Sequence, residues 1–348
     1  MTKVGLFLMV LVCLLLTSIS ASASPWLLSQ GDLVLVGRFD FEQGNEEFLE
    51  AGASQPFPLR GNFGSTTFST NLRFGILDSF ELELNIPIRQ VSYISDTVIL
   101  LDGGDEGLDF YQDNTISLSR RASGLADIEM AARYRLFASS IRGAFELRLK
   151  TPTGYERPSG TFGDNPKSEQ DFVANVGRYV APENVRDDVT LGDGQLDLTP
   201  SFLFGVASSS GTFSRMSLGY RLRFTGGGDQ LVGSLFVGRA LGKRLLFFGG
   251  FDAELSVQEG RVIGISVAAQ DPALPARDYE GTKNLLLREV TLDRDQLRMS
   301  LGGILRLTSA VELNVGYGQT VWGSNTTRIE TFSLGIGVRT NILEGASE

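Results

Sequence analysis

The sequence predicts an all-β chain: one transmembrane, antiparallel, up-and-down β-barrel of about twelve strands, with short turns on one rim and long loops on the other. Three observations predict it. Period-two alternation recurs along the chain, its runs extend to about eleven residues, and every second connection is a tight turn while those after strands one, three, five and nine are long and those after seven and eleven short. Such runs exceed the roughly 5–6 residues usual in soluble strands. They match the roughly 9–11 tilted residues that cross a bilayer.

The clearest unit is Thr67 to Arg89. Phe68, Thr70, Leu72, Phe74 and Ile76 share one face; Thr67, Ser69, Asn71 and Arg73 share the other. After Asp78-Ser79 the pattern restarts, with Phe80, Leu82, Leu84, Ile86 and Ile88 opposed to Glu81, Glu83, Asn85 and Arg89. Two alternating arms joined by a short polar break predict a β-hairpin.

The chain has 348 residues, a net charge of −10, 41 glycines, 21% charged and 42% apolar residues. The acidic balance argues against nucleic acid as a partner, which needs a basic patch. Lys3, the apolar run Val4 to Leu16 and the small residues Ala21-Ser22-Ala23 predict a secretory signal over 1–23, cut after Ala23, leaving 24–348 as one barrel domain. The only cysteine, Cys13, lies in that apolar run, and there is no histidine.

In order, Ser24 to Gly31 is a short lead and Leu33 to Glu42 the first strand. Gln43 to Asn62 is expected as a loop, and the hairpin above supplies strands two and three. A long acidic loop, Ser92 to Ser123, leads to strands four (from Ile128) and five (from Ile141), joined at Ala138-Ser139-Ser140. A second long loop, Pro152 to Gly192, precedes strands six and seven. Pro200 inside strand six removes a ladder donor and predicts a bulge. Strand eight, Leu231 to Leu241, has ambiguous facing. Strand nine starts at Leu245, and a third long loop covers Glu259 to Arg294. Strands ten to twelve begin near Gln296, Val311 and Arg328. The connections after strands two, four, six, eight and ten are tight, which is the periplasmic rim of an outer-membrane barrel.

A soluble barrel also alternates, with its apolar face inward. Long strands, a polar face with full charges of both signs, and aromatics near strand ends (Phe39, Phe41, Phe74, Phe80, Phe137, Phe204, Phe224, Trp322) favour the inverted arrangement, lipid outside and a hydrated lumen inside.

Leu72 to Ile88, LRFGILDSFELELNIPI, resembles the Arg-Tyr-Gly-Leu-Thr-Asp-Arg-Leu-Glu-Leu…Pro hairpin of the meta-pathway phenol-degradation (MetA-pathway) family of outer-membrane barrels. Gly124-Leu125-Ala126-Asp127, Pro152-Thr153-Gly154 and Leu191-Gly192-Asp193-Gly194 are similar to its strand openings and ends, although Ala126 replaces a glycine. The resemblance covers Leu72 to about Gly205. It implies a Gram-negative outer-membrane transporter of small, hydrophobic or aromatic molecules. The chain ends in Glu348 rather than the aromatic that commonly closes such barrels, so the signal for the barrel-assembly machinery is expected within Phe332 to Val338.

Without histidine, and with its one cysteine in the signal segment, the chain lacks an imidazole base, a thiol nucleophile and His- or Cys-based metal sites. No enzyme and no cofactor are expected. Asp102, Asp105 and Asp109, with Glu106 and Asp113, are a weak calcium candidate against the simpler reading of a solvated acidic loop. The inward face supplies the pore candidates: Arg38, Arg73, Glu81, Glu83, Arg133, Arg135, Glu146, Arg148, Lys150, Arg221, Arg223 and Glu254. Either they line a path for a small-molecule solute, or they pair and close it. The expected partners are outer-membrane lipid, the assembly machinery and the solute. The alternative is a non-transporting surface barrel whose long extracellular loops bind a partner or serve a structural role.

Overall fold

The structure, a computed structural model, describes residues 24–50, 52–99, 115–117, 119–154, 168–174, 190–271, 274, 278 and 284–343. The expected signal segment 1–23 and the calcium candidates Asp102, Asp105 and Asp109 lie outside them.

Twelve strands make the wall. Strands one to three are Asp32–Gly44, Asn62–Leu77 and Phe80–Ile94. Strand four is broken into Arg120–Leu125 and Ile128–Ala138, and strand five is Ile141–Thr151. Strands six to nine are Asp197–Ala207, Thr212–Arg223, Gln230–Leu241 and Leu245–Ser256. Strands ten to twelve are Asp295–Arg306, Val311–Ser324 and Glu330–Asn341. Each pairs antiparallel with its chain neighbours, and strand one pairs with strand twelve from Asp32↔Asn341 to Gln43↔Glu330. That pairing closes the sheet and leaves no free barrel edge, the condition for placing backbone amides in lipid.

The facing follows from register. Leu35, Phe39, Ile88, Phe202, Leu218, Leu235 and Leu334 are each more than 40% exposed on the outer wall. A continuous apolar belt of this kind needs lipid rather than water against it. No helix among the described residues is long and apolar enough to cross a membrane; the strands make the crossing. Strand eight, ambiguous from sequence, turns Leu231, Leu235 and Val237 outward and Val232, Ser234 and Phe236 inward.

Several expectations need correction. The connections expected as loops hold sheet. Glu46–Glu50, Ala53–Pro56 and Thr326–Thr327 form a three-stranded sheet, Thr97–Ile99 pairs with Thr115–Ser117, and Val262–Ala269 pairs with Leu285–Thr291. Their sequences are too polar or too irregular to alternate, because they stand above the membrane and are not sorted into lipid and lumen faces. Strand four starts at Arg120, inside the expected first long loop. Its break has a local cause: Pro87 of strand three has no N–H to give, and its carbonyl instead accepts the Ala126 N–H at 2.9 Å. Pro200 produces no bulge; strand six keeps one register on strand seven from Asp197↔Arg223 to Ala207↔Phe213.

The interior of the barrel

The inward face carries most of the buried charge. Arg133, fully buried in strand four, is the hub of the wall made by strands two to five. Its guanidinium donates to Glu81 at 2.7 Å, to Glu146 at 2.6 Å and to Glu83. Arg73 grips Glu81 from the other side at 2.8 and 2.9 Å. Arg148 reaches Glu129 at 3.0 Å and Glu146 at 3.2 Å, and Asn71 donates to Glu83 at 3.0 Å. Cross-strand neighbours make these pairs, because Glu81 sits opposite Arg133 and Arg133 opposite Glu146 in the ladders.

Nearer the long loops a second group forms. Lys150 bonds Asp193 at 2.5 Å and Asp197 at 2.7 Å, while Arg223 holds Asp193 at 2.6 Å. Arg221 pairs with Glu254 at 3.1 Å and with Gln230 at 2.7 Å. Arg38 pairs with Asp40 at 2.8 Å, along its own strand. Eleven of the twelve pore candidates thus sit in ion pairs on the inner wall. Arg135, beside the turn at Ser139, joins no ion pair among the described residues. No group of acids that could hold a metal occurs among the described residues.

These networks leave a cavity of about 450 Å³. It runs from Glu42 and Arg294, toward the long loops, down to Phe236 and Arg215. Inward positions nearer the short turns, such as Gly205, Phe213 and Phe248, do not line it.

That end is occupied by the lead, which the sequence left as a bare connector. Gln30 N–H bonds Asp78 at 3.0 Å, and Leu28 N–H bonds Glu81 at 2.8 Å. Leu27 packs with Ala144 of strand five and Leu203 of strand six. Trp26 meets Phe213 of strand seven edge-on at 6.1 Å. The lead therefore follows the inner wall from strand two to strand seven. Two glycines permit the approach. A Cβ on Gly75 would stand 2.1 Å from the Ser29 carbonyl oxygen, and one on Gly205 2.5 Å from the Pro25 ring. The sequence signal, had it been used, was Pro25, Trp26, Leu27 and Leu28: a short apolar run with nothing outside the barrel to cover it.

Arg215, Asp252 and Arg298 also face the cavity and were not singled out as pore residues from sequence. Arg215 alternates with Met216 and Leu218 and so falls on the polar face of strand seven, but the other two lie in strands whose glycines blur the alternation.

No family model and no curated relative matches the chain. Among solved structures, the crystal structure of an outer membrane channel from Pseudomonas putida F1 is similar over 92% of this chain and 99% of that one, at a TM-score of 0.59 and 11% identity. The translocator domain of the autotransporter NalP from Neisseria meningitidis matches over 90% of each chain at a TM-score of 0.39 and 12% identity. The CymD monoaromatic hydrocarbon channel matches over 90% of this chain and 89% of that one, at a TM-score of 0.38 and 8% identity. At such identities the likeness is one of fold, and the first of the three shows it: an outer-membrane β-barrel.

Proposed function

We propose that the protein is an outer-membrane channel for small molecules, with its periplasmic end closed by residues 24–30. The observation that carries the proposal is the charged cavity of about 450 Å³ on the axis of a closed barrel, with the lead packed between it and the short-turn rim. Twelve strands lie between the roughly eight whose lumen side chains fill and the roughly 16–18 that leave an aqueous channel, so the cavity is space that the inward side chains leave open. The P. putida neighbour is described as an outer membrane channel, and the hairpin Leu72 to Ile88 supports placement in the meta-pathway phenol-degradation family, with hydrophobic or aromatic solutes. The pore candidates would then act as the charged wall of the path.

The lead suits a gate on energetic grounds. Burying Pro25, Leu27 and Leu28 gains about 1.5–3 kcal/mol for each large side chain. Fixing its backbone costs about 1–2 kcal/mol per residue. Over so short a segment burial does not outweigh the ordering cost by itself, so the lead depends also on its hydrogen bonds to Asp78 and Glu81 and on the Trp26–Phe213 contact, a balance that lets it leave.

The test is single-channel recording in planar bilayers, with the mature chain beside a variant lacking residues 24–30. Small, intermittent currents in the former and larger, steady ones in the latter support the proposal. No current from either, together with no solute uptake into vesicles, removes it and leaves the surface-barrel reading.

A further inference from the structure

The charged groups around the cavity are not all satisfied. Of its seven basic side chains, five have a carboxylate partner: Arg38, Arg148, Lys150, Arg221 and Arg294. Arg215 and Arg298 have neither an ion pair nor a hydrogen-bond acceptor among the described residues. Of the seven lining carboxylates, only Asp252 lacks an ion pair within 4.0 Å there. The unpaired groups thus leave one positive charge in excess on one stretch of wall.

They share that wall, with Arg215 on strand seven, Asp252 on strand nine and Arg298 on strand ten, all lining the cavity. Asp252 sits directly opposite Arg298 in the ladder of strands nine and ten, and Arg215 directly opposite Phe236 in that of strands seven and eight. Arg215 is only 9% exposed, and its guanidinium lies over the Phe236 ring, 4.7 Å from the centroid. The ring packs against the guanidinium, and both side chains line the cavity. Ser217 and Ser234, 2.6 Å apart, add hydroxyls between the arginines' strands. An unpaired guanidinium in a confined, low-dielectric space is costly, and its planar fork fits a carboxylate bidentately.

We infer that the wall of strands seven to ten is a binding site for the carboxylate of a small organic monoanion, held by Arg215 and Arg298. Asp252 lowers the net charge there to a single positive unit, which favours one negative charge over two. This deepens the channel proposal and rests on it only for the direction of travel, not for the binding.

The experiment uses the mature protein in lipid nanodiscs, titrated with sodium propionate at constant ionic strength and followed calorimetrically, with 1-propanol as the uncharged comparison. The expected result is saturable propionate binding, no comparable 1-propanol binding, at least tenfold weakening in Arg215→Gln and Arg298→Gln, and tightening in Asp252→Asn. Propionate binding unchanged in both arginine variants, or equal binding of the alcohol, overturns the inference. If either Gln variant fails to insert, the alcohol comparison and Asp252→Asn still decide it. Binding without flux through the barrel would refute the channel proposal and keep the site, whereas flux of neutral solutes without propionate binding would do the reverse.

Discussion

Replacing Arg133 with methionine should cost the barrel about 3–5 kcal/mol, the usual cost of leaving buried charges without their partner. The structure says where the cost falls. Arg133 is fully buried and donates to three carboxylates. After its loss Glu81 still has Arg73 at 2.8 Å and Glu146 still has Arg148 at 3.2 Å. Glu83 keeps only the Asn71 amide at 3.0 Å and a long 3.6 Å approach to Arg148. Glu83 is therefore the group most exposed to the change. Neutralising it in Arg133→Met/Glu83→Gln should recover about 1–3 kcal/mol, the penalty of an unsatisfied buried polar group. Urea titration of the protein refolded into lipid vesicles, run as a double-mutant cycle, measures both quantities. A loss below about 1 kcal/mol for Arg133→Met, with no recovery in the double variant, would refute the reasoning, because it would mean that the network is hydrated and carries no buried charge.

Gly205→Val should free the lead without touching a charge, since a Cβ there would meet Pro25 and Trp26; Trp26 fluorescence should shift red and channel current rise, and unchanged emission would show the lead is not seated there. Trp26→Ala should act in the same direction by losing the edge-on contact with Phe213. In the extracellular sheet, the hydrogen bond from Arg328 at 2.6 Å holds the Glu46 carboxyl below its ordinary range. A depressed carboxyl stabilises the fold above its unfolded value of about 4.3 and loses that contribution as pH falls through the folded one. Hydrogen exchange over Glu46–Pro56 should therefore accelerate on acidification below about pH 4, and Glu46→Gln should flatten that dependence. Exchange independent of pH after correction for intrinsic rates would count against the pairing.

Much of the architecture was legible in the residues. The arms of the hairpin from Thr67 to Arg89 carry a period of two, because a barrel wall sorts every residue between lipid and lumen. The same sorting puts Glu81, Arg133 and Glu146 on the charged face. Which of them would meet was not legible: Glu81 lies 52 residues from Arg133, and only the register of strand three on strand four brings them to 2.7 Å. Where glycine replaces a facing side chain, as in Leu231 to Leu241 and Leu245 to Ser256, the pattern fades, and neither Phe236 nor Asp252 stands out as an inward residue.

The sequence by itself determined that the chain closes into a membrane barrel and which side of each clear strand is charged, because those depend on local spacing alone. Tertiary structure decided the rest. It placed Ser24 to Gln30 inside the wall, where Gly75 and Gly205 make room. It paired nearly all the predicted charges and left Arg215 and Arg298, on the cavity wall, without an ion pair among the described residues. Those outcomes depend on contacts across the lumen between residues far apart in the chain, and no local pattern encodes them.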